Sequence, residues 1–314
     1  MRRATRTERD SLGEKAVPDS AYYGIQTLRA VENFAISGLR AHPAMIKAIA
    51  LIKQAAAETN MALGELDPRI GQAIVKACKE IAQGQWHEQF VVDVFQAGAG
   101  TSFNMNANEV IANRSIEMLG GKRGEYSLVH PNDHANMAQS TNDVVPTTVR
   151  LASLALMSRL TPEVEMLAKA LAAKADEFRD VVKSGRTHLQ DAVPITLGQE
   201  FGGYAAAVHR ALKRFRHAAE SLEEIGLGGT AVGTGINTHP RYRAAVTRRL
   251  GELTGLPLRV APDLIEATQS TTVFAEASSA LKILALDLIR IANDLRLLSS
   301  GPTTGLAEIK LPAV

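Results

Sequence analysis

Only one cysteine, Cys78, occurs in the 314 residues, so no disulfide forms within the chain. Its K-A-C-K-E surroundings read as a helix face in a reducing compartment. Aromatic residues are scarce at 4%. Long apolar runs are missing as well. A membrane-spanning helix needs about 18 or more consecutive apolar residues, and even the apolar stretch from Leu281 to Ile291 carries Lys282, Asp287 and Arg290. The opening M-R-R-A-T-R-T-E-R-D is arginine-rich but contains Glu8 and Asp10 and lacks an apolar segment. It therefore fails as a secretory leader and is expected to be a disordered arm. Charge of one sign is also lacking: 35 Lys and Arg against 33 Asp and Glu leave a formal net charge of +2, with no basic footprint for nucleic acid. These absences predict a cytoplasmic protein that binds neither membrane nor nucleic acid.

Ala, Leu, Glu, Lys and Arg are abundant instead, and their side chains lose little freedom in a helix. An all-α fold is expected. Phe274, Ala277, Leu281, Leu284, Leu288, Ile291, Leu295 and Leu298 recur in steps of three and four, which predicts one long bundle helix. Ile283, Leu286 and Ile289 lie off that seam, so the helix should be covered on several sides, as in a multi-subunit bundle. A second helix is predicted through Leu160, Val164, Leu167, Leu171 and Phe178, with Pro162 either kinking it or marking a fresh start capped by Thr161. A third runs from Leu197 to Ile225 and ends at Gly226 in a left-handed turn. Shorter helices are predicted at Ala44–Met61, at Pro68–Gln83 with Asp67 as cap, and from about Asn106 to Leu119. The domain reading is an amino-terminal helical domain over 1–140 and a central long-helix bundle over 141–314.

Polar, glycine-bearing loops separate these helices, and chemistry is expected there. The first, G-A-G-T-S-F-N-M-N from Gly98 to Asn106, gathers Thr101, Ser102, Asn104 and Asn106 at a helix start. Unpaired N–H groups and the positive end of the helix dipole suit such a start to a carboxylate; read alone, the loop is more often an ordinary polar cap. The second, H-P-N-D-H-A-N-M-A-Q-S-T-N-D from His130 to Asp143, puts Ser140, Thr141 and Asn142 at another helix entrance. Two anion-receptive sites suit a dicarboxylate. His130 and His134 have metal-ligand spacing, but Pro131 opposes a helix there and no full ligand set is evident, so no metal is expected. The third, S-G-R-T-H-L-Q-D-A-V-P from Ser184 to Pro194, places Thr187 and His188 after a glycine turn. His188 is either structural or a proton carrier. Gly226-x-Gly228-x-x-Ala231 matches a dinucleotide fingerprint only superficially, because a helix is predicted where that motif needs a strand.

In order, the phrases G-T-S-F-N-M-N-A-N-E-V, H-P-N-D-H, Q-S-T-N-D, G-R-T-H-L-Q-D-A-V-P and G-T-G-I-N resemble the aspartase/fumarase superfamily, as does E-R-D-S-L-G-E-K-A-V-P-D-S-A-Y-Y-G at the start. The similarity spans nearly the whole chain. It implies a homotetramer of long helices with active sites shared between subunits, no cofactor, and anti elimination of ammonia from L-aspartate to give fumarate. Carried over by position, Thr101, Ser140, Thr141, Asn142, Thr187 and His188 bind the substrate, with His188 handling a proton or positioning substrate. The family's general base is a serine on a glycine-rich loop, G-S-S-x-M-P-x-K-x-N-P. The chain ends at Val314, before that loop and before a small carboxy-terminal domain, so a chain truly ending there is expected to be inactive. The resemblance also leaves two alternatives: a class II fumarase, which typically shows S-S-N-D and A-T-P where this chain has Ser140-Thr141-Asn142-Asp143 and Ala192-Val193-Pro194, or a non-catalytic structural homologue. Ala138, where serine is common, and Val144-Val145 depart from the usual aspartase wording.

Overall fold

The computed structural model describes residues 4–98 and 100–313. It is mostly helical, with three small two-stranded sheets. The chain begins with β1 (Thr5–Asp10), β2 (Gly13–Pro18), α1 (Ile25–Asn33), α2 (Pro43–Leu63), α3 (Pro68–Ala82) and α4 (Thr101–Met118). After these come α5 (Thr141–Glu177), β3 (Val182–Thr187), β4 (Gln190–Thr196) and α6 (Leu197–Leu222). The last elements are β5 (Glu224–Ile225), α7 (Tyr242–Thr254), β6 (Arg259–Val260), α8 (Leu264–Gln269) and α9 (Thr272–Leu298). Two compact units result, one of Met1–Ala155 with Leu222–Thr271, the other of Leu156–Ser221 with Thr272–Val314. Among the described residues no helix is long and apolar enough to cross a membrane.

In the first unit α2 is buried on nearly every face, and its run of Ala48, Ala50, Ala55, Ala56 and Ala57 lets neighbouring helices pack closely. Asp67 caps α3 by accepting from Arg69 and Ile70 N–H, with Pro68 in the first turn as expected. α4 starts at Thr101, five residues ahead of the sequence expectation, so the polar phrase N-M-N-A-N-E-V lies inside a helix and not in front of one. Its polar side chains are buried because they serve the main chain of the surrounding loops. Asn106 Oδ1 accepts from Val91 N–H and its Nδ2 donates to the Gln89 carbonyl, both at 2.9 Å. Asn113 does the same for Gly124 N–H and the Tyr22 carbonyl.

Glu109 of α4 and Glu8 of β1 together cap α1 from outside that helix. Glu109 accepts from Gly24, Gln26 and Thr27 N–H at 2.8–3.0 Å, and Glu8 accepts from Ile25 N–H at 2.8 Å. All four leading donors of α1 are thereby satisfied, and two carboxylates face the positive end of its dipole. The opening segment is accordingly no disordered arm from Thr5 onward: it pairs antiparallel with β2 from Thr5↔Pro18 to Asp10↔Gly13, and Glu8 inside it is buried.

In the second unit Pro162 neither starts a new helix nor divides α5, which is continuous there, and Thr161 Oγ1 donates to the Met157 carbonyl. The segment read as a loop from Ser184 to Pro194 is the β3–β4 hairpin. Along α9, Ala277, Leu284, Ile291 and Leu298, spaced by seven, are buried, while Leu281, Ile283, Leu286 and Ile289 are exposed. α6 stops at Leu222, and Gly226 lies outside the left-handed region, which Gly228 adopts instead at φ 89°. No helix follows these glycines before α7, so the dinucleotide fingerprint has no structural counterpart.

A Cβ at Gly24 would meet Tyr126 Oη, Glu8 Oε2 at 2.7 Å and Glu109 Oε1 at 2.8 Å. Gly24→Ala is therefore expected to destabilise the protein by about 3 kcal/mol, the upper end for overpacking, seen as a lower urea midpoint. An unchanged midpoint would show that this double cap carries no stability.

Candidate active site

Ser140-Thr141-Asn142-Asp143 folds as a capping box at the mouth of α5. Ser140 Oγ accepts from Asn142 N–H at 3.2 Å, and Asp143 Oδ1 reaches back to Ser140 N–H at 2.9 Å. The other Asp143 oxygen accepts from Gly228 and Thr230 N–H, each at 3.0 Å, and so ties the glycine-rich 226–237 loop to the helix mouth. Asn142 Nδ2 donates to the Ala231 carbonyl of that loop at 2.7 Å, leaving one amide N–H for a ligand. Burial pushes the Asp143 carboxyl upward against these three backbone donors.

The mouths of α4 and α5 lie side by side. Gly100, left-handed at φ 84°, precedes α4, and a Cβ there would meet Val145 Cγ1 at 2.8 Å. Four residues into α4, Asn104 Nδ2 donates to Thr141 Oγ1 at 3.1 Å. Thr101 is exposed in the first turn of α4. One N–H of that turn, on Phe103, is taken by Gln96 Oε1 at 2.7 Å. Asn104 and Asn106 point inward, so of the hydroxyl and amide groups expected at this mouth only Thr101 and Ser102 remain near it. Thr101, Ser140, Thr141 and Asn142 are thus gathered in one unit by adjoining helix starts.

Thr187 and His188 belong to the other unit. They do not follow a glycine turn: Gly185 lies within β3 at a register shift, and His188 with Leu189 forms the two-residue turn of the hairpin. Both turn residues are left-handed, at φ 50° and 63°, a strained state for side-chain-bearing residues that clusters at functional positions. Thr187, His188 and Leu189 are all exposed. Lys183 anchors the hairpin base by pairing with Glu200 at 2.5 Å and Glu308 at 2.9 Å, and Arg186 pairs with Glu308 as well.

Sequence reasoning missed Lys53, Asn136 and the structural use of Asp143. Lys53, on α2, is wholly buried and donates to Asn136 Oδ1 at 2.7 Å. Desolvation brings its pKa down to about 7 despite the opposing pull of Asp143 and, more weakly, of Cys78. Its signal in the sequence was the lone charge within A-I-A-L-I-K-Q-A-A-A. Cys78 is fully buried, and burial pushes its thiol up, away from reactivity. His130 and His134 serve the backbone: His130 Nδ1 accepts from Asn132 and Asp133 N–H, and His134 Nδ1 from His130 N–H. Pro131 is accommodated by a single wide helical turn, Pro131–Ala135. Among the described residues no three His, Cys, Asp or Glu groups could hold a metal ion.

Residues 13–314 match the family model described as Lyase. The chain belongs to this lyase family. It is 51% identical over 313 residues to an aspartate ammonia-lyase of Bacillus sp, covering all of this chain and 67% of that protein. A fumarate hydratase class II of Brucella suis is 46% identical over 310 residues, with 98% and 67% covered. Among solved structures, a fumarate lyase:delta crystallin of Brucella melitensis bound to cobalt superposes with a TM-score of 0.96 at 52% identity, covering 99% of this chain and 68% of that one. The chain spans 65–67% of the length of the curated aspartate ammonia-lyases it matches. The mostly helical fold expected from the sequence agrees with this membership.

Lys53 also governs stability. Its folded pKa of about 7 lies below the unfolded value of 10.5, so the unfolded chain holds the extra proton between those limits and stability rises with pH across that window. Lys53→Met is expected to raise stability by about 1–4 kcal/mol below pH 7 and to flatten the rise between pH 7 and 10.5. Urea unfolding at several pH values checks this; a variant less stable at every pH would contradict it.

Proposed function

We propose that this protein is a carbon–nitrogen lyase that deaminates L-aspartate to fumarate and ammonia. The observation that carries this reading is the pair of adjoining helix mouths, α4 and α5, which present Thr101, Ser140, Thr141 and Asn142 as neutral donors. A proton next to a carboxylate is held strongly, and its removal makes that carboxylate a doubly charged aci-carboxylate. Preorganised donors that meet this charge as it develops lower the barrier. Hydroxyls and an amide at helix starts do so without a lysine in direct contact. Thr187 and His188, on their strained turn, hold the other end of the substrate, with His188 positioning it or handling a proton.

The exposed apolar side chains of α9, Leu281, Ile283, Leu286 and Ile289, are the subunit-facing surface of a homotetramer in this reading. Assembly would let loops from different copies share one site. Hydration of fumarate to malate passes through the same carbanion, and the relative of that name keeps this rival open. Ser140-Thr141-Asn142-Asp143 and Gln190-Asp191-Ala192-Val193-Pro194 favour ammonia over water. The intact donors argue against a purely structural protein. No cofactor enters the chemistry.

Ultraviolet absorbance of fumarate, followed separately with aspartate and malate, is expected to show product from aspartate. Product from malate alone would reassign the enzyme. In the full-length protein Thr141→Ala should lower turnover about a hundredfold, or ~3 kcal/mol, as for a lost oxyanion donor. Wild-type turnover in that variant would overturn the assignment of Thr141.

A further inference from the structure

Behind the α5 mouth four polar side chains form a chain of hydrogen bonds whose direction is fixed at its buried end. Lys53 Nζ donates to Asn136 Oδ1 at 2.7 Å. Asn136 is held the same way round on its other side, where Nδ2 donates to the Gln139 carbonyl at 3.2 Å, a group that can only accept. Asn136 therefore presents an oxygen to Asn104, which must answer with its Nδ2, at 3.2 Å. The same Nδ2 donates to Thr141 Oγ1 at 3.1 Å. Asn104 Oδ1 has no partner and is buried, so the amide is oriented entirely by what its nitrogen meets. With an oxygen lone pair engaged by Asn104, Thr141 has its hydroxyl hydrogen left to give, and among the described residues it gives it to none.

We propose that Asn104, set by Lys53 through Asn136, is a positioning residue that fixes Thr141 as a donor toward the substrate carboxylate. This rests on the reading of the α5 mouth as a carboxylate site. A threonine free to rotate could accept or donate, and a carboxylate rewards only the donor.

The test uses the full-length protein, with succinate as a non-reacting dicarboxylate and aspartate as substrate. Asn104→Leu keeps the branched skeleton and the number of heavy atoms, with bulkier methyl ends, and forfeits no bond at Oδ1. It is expected to weaken succinate inhibition, and to raise KM for aspartate, by on the order of tenfold. Thr141→Val should do at least as much, and Asn104→Leu added to Thr141→Val should do nothing further, because the first residue acts through the second. Lys53→Met, expected to be the more stable protein, should still weaken succinate inhibition. A stabilised Lys53→Met that inhibits normally, or Asn104→Leu and Thr141→Val effects that multiply, would overturn the proposal. Wild-type protein that forms no fumarate from aspartate or malate and ignores succinate would instead overturn the functional reading beneath it.

Discussion

An α-helix buried on all sides is ordinarily apolar, and α4 is the exception on which the first unit depends. Asn106, Asn113 and Glu109 are tolerated in that interior because each saturates main-chain groups that their own segments leave unpaired, around neighbouring loops for the asparagines and in the first turn of α1 for Glu109. The exchange is mutual. The main chain at residues 89–91, 22 and 124 and the first turn of α1 obtain partners for N–H and C=O groups, and α4 obtains partners for Asn106, Asn113 and Glu109. Replacing any one of these side chains by an apolar group would strand main-chain polar atoms distant in sequence, so the polar wording of N-M-N-A-N-E-V follows from loop placement more than from ligand binding.

The same logic places the candidate site. Asp143 has three roles: it completes the capping box of α5, gathers the 226–237 loop through Gly228 and Thr230, and opposes the desolvation of Lys53. A rigid mouth results, and rigid donors are worth more than mobile ones at a developing charge because they need no reorganisation.

Amphipathic periodicity and cap chemistry made the long helices legible, since α9, α3 and α2 announce themselves by spacing, by Asp67-Pro68 and by alanine runs. Order of motifs made the family legible. Local pattern failed where tertiary partners decide. Thr5–Asp10 is charged and looks unfolded until β2 and the start of α1 provide a place for Glu8. Asn104 looks like a loop donor until α4 is seen to begin at Thr101. Ser184–Pro194 reads as a loop because Gly185 and Pro194 mimic turn chemistry, whereas the turn falls on His188 and Leu189, and leucine is a residue that propensity would not choose for left-handed backbone. Lys53 is silent in local pattern because one lysine in an apolar helix is usually a solvated edge.

These misses share a character. His188, Leu189 and, beside Ser140, Ala138 adopt positive φ without glycine's freedom, and Lys53 carries a charge into a dry interior. Each is locally unfavourable; His188, Leu189 and Ala138 lie at or within two residues of positions read as binding substrate, and Lys53 reaches Thr141 through Asn136 and Asn104. A sequence selected for stability alone would place glycine at the first three and methionine or leucine at the fourth. Strain of this kind, held in place by the surrounding structure, is what a stability–activity trade-off looks like in each unit taken by itself.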